Sequence, residues 1–593
     1  MKTIFPIIVI YLSGLAAIHC RAQTIPYNRL TNWAKAGLAD TVPDFSNKVN
    51  IMNYGAYANG MIPDDTALAR AIAALNNQPG TVIIPAGTYL FRQPVNLERD
   101  SIVIRGEGSA TRLLFNLSWP LNNMFNIRGT IEPDTLKVQH SITKNDRSIV
   151  LSSVTGLHDG DYLYLFCNDS DLVTSPWAYT TSGQILRIEK INGDTVYVET
   201  PPRRSYKISS GIYILKMKPV RHVGLECMYI ERTDSTNART NNIDLFAAAD
   251  CWISGIESNM TNYSHVAINY STHVLVRGCY FHHAHSYGDK SEAYGANLEF
   301  TSGDCLVENN IFEHLRHSMV VQAGANGNVI SYNYSLDPYW TQPPSPADAA
   351  GDIVCHGDYP YLNLFEGNVA QNIIVDDSHG INGPFNTFFR NKAELYGIST
   401  LPGAADSTNY TGNEVTGTTG NYSLSGKGYF EYGNNLNGTI MPVGTSALPE
   451  LSLYMSGPPG YWEGNISYPG IGTPYAYNKG NNPAYRRYTS QSRTDCTRNP
   501  HYITVQQPLQ ADDEIAAYPN PFKDVIILRS ATGKRSCFYQ LYSMTGMCVL
   551  AGDAPGDQTI INTASLPEGI YLLIIRDQKG IIISKRNMIK TGR

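Results

Sequence analysis

Glu313, His314, Arg316 and His317 fall within five consecutive positions of FEHLRHSMVVQ, residues 312 to 322, which then runs into the apolar Met319, Val320 and Val321. An arginine can neutralise an anion, and a histidine, whose ordinary pKa is near 6.5, can accept a proton near neutral pH. Such crowding predicts a corner. A helix would scatter these side chains around a cylinder, and a strand would send alternate ones inward. The same residue types recur nearby: His282, His283, His285 and Lys290 in HHAHSYGDK, His356 in CHGDYPY, and His379 at the end of VDDSH. The whole chain has 14 histidines, so this concentration marks a candidate site.

The elements that would position these residues are repetitive. Five 16-residue blocks align without gaps, starting at Ile243, Val266, Asn297, Val320 and Leu364, so that successive starts differ by 23, 31, 23 and 44 residues. A base period near 23, with the extra length confined to one gap per repeat, predicts a solenoid with its insertions on one face. One apolar column reads Ile253, Val276, Val307, Ile330, Ile374, and two residues earlier the column reads Cys251, Val274, Cys305, Asn328, Asn372. Cys251 and Cys305 then lie two rungs apart, roughly 10 Å, too far for a bridge and suited to buried filling. The third column, Leu245, Ile268, Glu299, Gln322, Glu366, ends in side chains too costly to bury unpaired, which predicts a groove wall. The charged and imidazole residues fall in the gaps, at one edge of successive rungs.

Composition narrows the partners. Of the 593 residues, 45 are Lys or Arg and 51 are Asp or Glu, a net charge of −6, so no basic footprint points to nucleic acid. The 50 glycines and 39 tyrosines suit short strands and turns. Residues 1–22 read as a secretory signal peptide, and no later run is long enough to span a membrane. The nine remaining cysteines have no regular spacing, so no disulfide framework is expected. Residues 23–500 are expected to hold the solenoid. Within them, residues 116–220 depart from the repeat and read as an inserted β-subdomain with a hairpin at NGD. After about residue 390 the pattern loosens into what reads as irregular coils. A linker at 501–516 precedes a small β-sandwich at 517–593.

Two stretches carry family resemblances. NYGAYANG, PDDTALARAIAAL and GTVIIPAGTY, within residues 50 to 115, resemble the opening of pectate lyase superfamily and polygalacturonase-like proteins. That resemblance implies an all-β, right-handed parallel β-helix plugged by a short helix. Asp64, Asp65 and Thr66 are expected to cap that helix rather than to catalyse. YPNPF, YSMTG and LPEGIYLL, near the C-terminus, resemble the type IX secretion sorting domain of Bacteroidetes. It implies the type IX machinery as a partner and export to the medium or the cell surface.

The β-helix resemblance implies a polysaccharide substrate. Cleavage of a uronate glycan by elimination needs a neutralising cation, a base and an acid for the leaving oxygen. Arg316 and Lys290 suit the first role, His317 or His356 the second, and Tyr287 or Tyr294 the third. Hydrolysis would need paired carboxylates, for which Glu299 with Glu366, or Asp376 with Asp377, are the candidates. A non-catalytic glycan-binding surface protein is a third reading. Gln322, Tyr339, Trp340 and His379 are expected to contact the glycan, the aromatics through their apolar faces. His282, His283 and His285 could suit zinc or copper, and VDDSH could offer carboxylates to calcium. No ligand spacing identifies a metal. The polygalacturonase pattern is absent, because no Asn-Thr-Asp element occurs beside the VDDSHGING stretch.

Overall fold

Three ladders of parallel strands wind through the chain in the computed structural model. The structure describes residues 24–593 except 119–120, 289–291, 343–349, 418–420, 456–458, 463–465, 477–480, 499–514, 519–521, 531–536, 544–546, 557, 577–581 and 592–593. The signal-peptide reading and Lys290 therefore lie outside the described residues.

Each turn of this parallel β-helix contributes one short strand to each of three sheets. The first sheet runs through Ile243–Phe246, Ser264–Asn269, Tyr294–Glu299, His317–Val321, Ile353–Gly357 and the second half of Val369–His379. The second runs through Leu275–Arg277, Leu306–Glu308, Val329–Ser331, Leu364–Glu366, Thr387–Phe389, Asn409–Thr411 and Phe430–Tyr432. The third includes Tyr280–Ala284, Ile311–Glu313 and Tyr334–Leu336. Inward residues form one continuous apolar core, with Phe365, Phe388 and Tyr410 stacked nearly face to face at 4.8 and 5.3 Å. Cys251 and Cys305 are buried free thiols in that core.

The pairing corrects the fifth repeat. Leu364–Glu366 pairs with Val329–Ser331 of the second sheet, not with the strand holding Gln322. The partner of Ile330 is Phe365 rather than Ile374, and Asn328 is followed by Asn363 rather than Asn372. Two apolar strands separated by a corner look alike in sequence, so gapless alignment joins the wrong pair. The coils also continue well beyond residue 390, to Asn434–Leu436.

An asparagine ladder carries that continuation. Asn310, Asn333, Asn368, Asn391, Asn413 and Asn434 stack at the corner between the second and third sheets. Each Nδ2 in turn donates to the next Oδ1 at 2.9–3.1 Å. The carboxamide is both donor and acceptor, so identical residues complement each other from rung to rung. Asn368 shows what one member holds. Its Oδ1 accepts the Asn333 main-chain N–H, and its Nδ2 reaches the Ile330 carbonyl. Asn368→Ala would strand both buried groups, at about 1–3 kcal/mol each. A fall of this order in unfolding free energy, read by denaturant titration, is the expected outcome.

The N-terminal helix spans Asp65–Ala73, as its sequence predicts, but its aspartates do not cap it. Asp64 accepts from the main-chain N–H groups of Tyr57 and Leu90, and Asp65 from those of Arg92 and Gln93, tying the helix to neighbouring strands. Phe125–Arg128 pairs with Ile243–Phe246 and so still belongs to the β-helix. The six-stranded antiparallel sheet that follows spans Thr130–Lys137 through Ile212–Lys218, with Gly193 and Asp194 turning its hairpin. Contrary to the cysteine reading, Cys227 and Cys496 form a disulfide, 269 residues apart, a separation that gives no spacing cue.

Residues 504–593 form a separate unit. A three-stranded and a four-stranded antiparallel sheet enclose Phe522, Ile526, Leu541, Ile575 and Met588.

Candidate functional site

The corner expected at EHLRH is real. Glu313 ends one strand, His314 turns the chain with a positive φ, Leu315 enters the core, and His317 begins the next strand. His314 and the pair Arg316–His317 consequently leave the corner in different directions.

His314 joins an aromatic group at the third-sheet side. It stacks on Tyr339 at 4.7 Å and meets His283 and Tyr287 at 5.0 Å, while its Nδ1 lies 2.7 Å from Asp337. Among the described residues, the three upstream histidines do not gather into a metal-ligating group. His282 and His283 contact each other through Nδ1, whereas His285 Nε2 contacts the Arg232 carbonyl. Tyr287 is held here too, its hydroxyl accepting from the Ala284 N–H.

Arg316 and His317 face the outer side of the first sheet. The register Leu298–Val321–Cys355–Val375, read one residue further, sets Glu299, Gln322, His356 and Asp376 in a single column. Tyr294 pairs directly with His317. The rings of Tyr294 and His317 are 5.3 Å apart, those of His317 and His356 5.3 Å, and those of His356 and His379 4.8 Å. Tyr294, Arg316, His317, Gln322, Trp340, His356 and His379 thus share one site, together with Glu299 and Asp376.

Arg316 is 5 % exposed, with its guanidinium over the rings of Trp340 at 4.6 Å and Tyr294 at 5.6 Å. Its Nε and Nη1 are buried without a hydrogen-bond partner, and no carboxylate pairs with it among the described residues. A buried cation without a counter-charge is costly, and an incoming anion relieves that cost.

The imidazoles form a contiguous group with defined hydrogen-bond partners. The Nδ1–H of His317 donates to the Gly351 carbonyl at 2.9 Å, so Nε2 carries the lone pair, and it too is buried without a partner among the described residues. Burial, and then Arg316 and His356, push the His317 pKa well below the usual histidine range. His356 Nδ1 is 2.8 Å from Asp376, and its Nε2 is 3.4 Å from the Tyr294 hydroxyl. Burial pushes the Asp376 pKa up, but the neighbouring His356 outweighs it and the carboxyl falls to about 2. Burial, reinforced by His356, lowers His379 to about 4. Burial also raises Glu299 to about 7, although Gln322 donates to it at 2.7 Å.

Two carboxylate assignments change. Asp376, not the exposed Asp377, faces the site; the strand's pairing becomes irregular just beyond Val375, and Asp377 leaves the sheet for solvent. Glu366 lies on the second sheet, where it accepts from the Leu453 N–H and the Tyr332 hydroxyl, so Glu299 and Glu366 share neither a column nor a sheet. Burial raises Glu366 to about 7. Because its folded pKa exceeds the unfolded value near 4.5, its stabilising contribution is complete below about pH 4.5 and is lost as pH rises through 7. Glu366→Gln should leave turnover unchanged and flatten the pH dependence of the unfolding midpoint across that window. A large fall in kcat would return Glu366 to the chemistry.

Among the described residues, no group of three or more His, Cys, Asp or Glu side chains could hold a metal ion. Asp376 is already engaged by His356 and the Ser378 N–H. The Trp177 contact with His379 has no signal in the sequence, because Trp177 lies in the inserted segment.

Comparison with known proteins agrees with the two resemblances. Residues 48–145 match the family described as Rhamnogalacturonase A/epimerase, pectate lyase-like, and residues 516–590 match the secretion system C-terminal sorting domain. The protein is thus exported by type IX secretion to the cell surface or beyond it. Among the described residues, no helix is long and apolar enough to cross a membrane. No curated protein matches the chain. Among solved structures, the chain is similar to the tailspike protein gp49 from Pseudomonas phage LKA1, at 14 % identity over 67 % of this chain and 82 % of that one, with a TM-score of 0.42. The A-module of the Azotobacter vinelandii mannuronan C-5 epimerase AlgE4 aligns at 12 % identity over 66 % and 97 %, with a TM-score of 0.34. An iota-carrageenase complexed to iota-carrageenan fragments aligns at 12 % over 63 % and 58 %, with a TM-score of 0.30.

Proposed function

We propose that this protein is a secreted polysaccharide lyase that cleaves a uronate-containing glycan by β-elimination. The observation that carries this reading is Arg316, a buried guanidinium with no anionic partner among the described residues, set beside two imidazoles and a tyrosine. The uronate carboxylate supplies the missing counter-charge. Its neutralisation acidifies the adjacent C5–H and stabilises the enolate-like charge that forms when that proton leaves.

Nε2 of His317, neutral and unpartnered, takes the C5 proton. The electron pair forms the C4–C5 double bond, the C4–O bond breaks, and the Tyr294 hydroxyl gives its proton to the departing oxygen. His356, its Nδ1 oriented by Asp376, presents Nε2 to that hydroxyl, and a proton passed on from His317 or taken from water can return through it to the tyrosinate. Glu299 and Gln322 provide polar contacts for sugar hydroxyls on adjoining rungs.

The hydrolase reading loses Glu366 as partner to Glu299. The next acid in the column, Asp376, is three strand spacings away, roughly 14 Å at ~4.8 Å each. That exceeds the roughly 6.5–9.5 Å between the carboxyls of an inverting pair. Incubating the purified protein with oligouronates and following the ultraviolet absorbance of the unsaturated product tests the proposal. A rise supports elimination. New reducing ends without absorbance would mean hydrolysis, and binding without either would mean an adhesive protein.

A further inference from the structure

The inserted sheet sends a loop, residues 168–182, back onto the β-helix, and the contact is closely fitted. Asp169 accepts the N–H groups of Thr180 and Ser182, and Asp358 of the β-helix accepts those of Thr174 and Ser175. Val173 and Ala178 are buried against Ala323, and Thr301 donates to the Thr181 carbonyl. A side chain at Gly324 would strike that carbonyl, and one at Gly380 would strike Thr174; both glycines also have a positive φ. From this pinned loop Trp177 stands 47 % exposed, its ring edge-on to His379 at 5.2 Å and to Phe300 at 5.8 Å.

The rings form a row. Trp340 neighbours His317 at 6.3 Å, and His317, His356, His379 and Trp177 then follow one another at about 5 Å. The proton-transfer groups occupy the middle of the row and Trp177 its far end. A large apolar ring left in water, on a loop this firmly held, has its cost of ordering already met before any ligand arrives. We infer that Trp177 is a stacking platform for a pyranose ring, one or more sugars away from the bond that is cleaved, and that the inserted sheet exists in part to hold it there. This rests on the glycan-active reading of the site but not on elimination as its chemistry.

The test measures glycan binding by calorimetry in the full chain carrying His317→Gln, which prevents substrate consumption. The panel comprises short and long oligouronates and sulfated galactan oligosaccharides. Adding Trp177→Ala should weaken binding of the longer oligosaccharides about tenfold while leaving the shortest unaffected. Trp177→Phe, which keeps a ring on the loop, should restore most of the loss. Unchanged affinity at every length in Trp177→Ala, equal weakening at every length, or no binding of any panel member by the parent would each overturn the platform. Binding that depends on Trp177, in a wild-type protein that yields no unsaturated product, would instead sink the lyase reading and leave the platform standing.

Discussion

Arg316→Ala is expected to lower kcat/KM on a uronate oligosaccharide by roughly 10²–10³ or more, the cost of removing one preorganised group from a developing oxyanion. Its neighbours set the reason. Among the described residues, no other cation stands over both Tyr294 and Trp340, and no protein carboxylate shares the Arg316 charge. Because Arg316 is 5 % exposed and its Nε and Nη1 are buried, the substrate carboxylate meets it in a poorly screened environment. Arg316→Lys separates charge from geometry. A lysine keeps the positive charge but loses the planar fork that stacks on rings and binds carboxylate in two places, so partial activity is expected. Folding should survive the alanine change, since an unpaired buried cation contributes little to stability. Unaltered turnover in Arg316→Ala would remove the foundation of the elimination mechanism.

His317→Gln is expected to lower kcat by about 10²–10⁴, the usual range for loss of a positioned general base. The pH profile gives a second, sharper test. The base must be neutral to act, and burial holds the His317 pKa well below 6.5, so the acidic limb of kcat/KM should fall below the ordinary histidine range. Stability follows the same sign. With the folded pKa depressed, the unfolded chain takes up its proton first, and this contribution to stability is lost as pH falls through 6.5 toward the folded value. His317→Gln, which does not titrate, should therefore resist acid better than wild type in that window. An acidic limb centred at or above 6.5 would point to a different base.

Much of the architecture is legible in the sequence. The 23-residue period, the apolar columns and the corner at EHLRH follow from local rules, because every rung must bury one face and turn at the same places. The helix at Asp65–Ala73, the NGD hairpin and the C-terminal sandwich follow from helix-forming composition, turn chemistry and alternation. The errors arise where two strands of different sheets have similar sequences. Gapless alignment assigns Glu366 to the Gln322 column because LFEG looks like any other rung strand, and a shift of this kind moves a side chain to another sheet entirely. The asparagine ladder carries the correction. Its members at 310, 333, 368, 391, 413 and 434 keep the period through the stretch that reads as irregular.

What the sequence alone determined is the repeat, its insertions and the pool of titratable residues at one edge, since composition and periodicity are properties of the chain itself. Tertiary structure decided how that pool divides. One residue of left-handed turn at His314 sends His314 to the Tyr287–Tyr339 group and leaves Arg316 and His317 beside Tyr294, His356 and Asp376. It also brought Trp177 from a segment more than a hundred residues upstream to the edge of His379. No local signal encodes such a meeting, because it depends on the loop lengths and backbone contacts of two elements that touch only after both have folded.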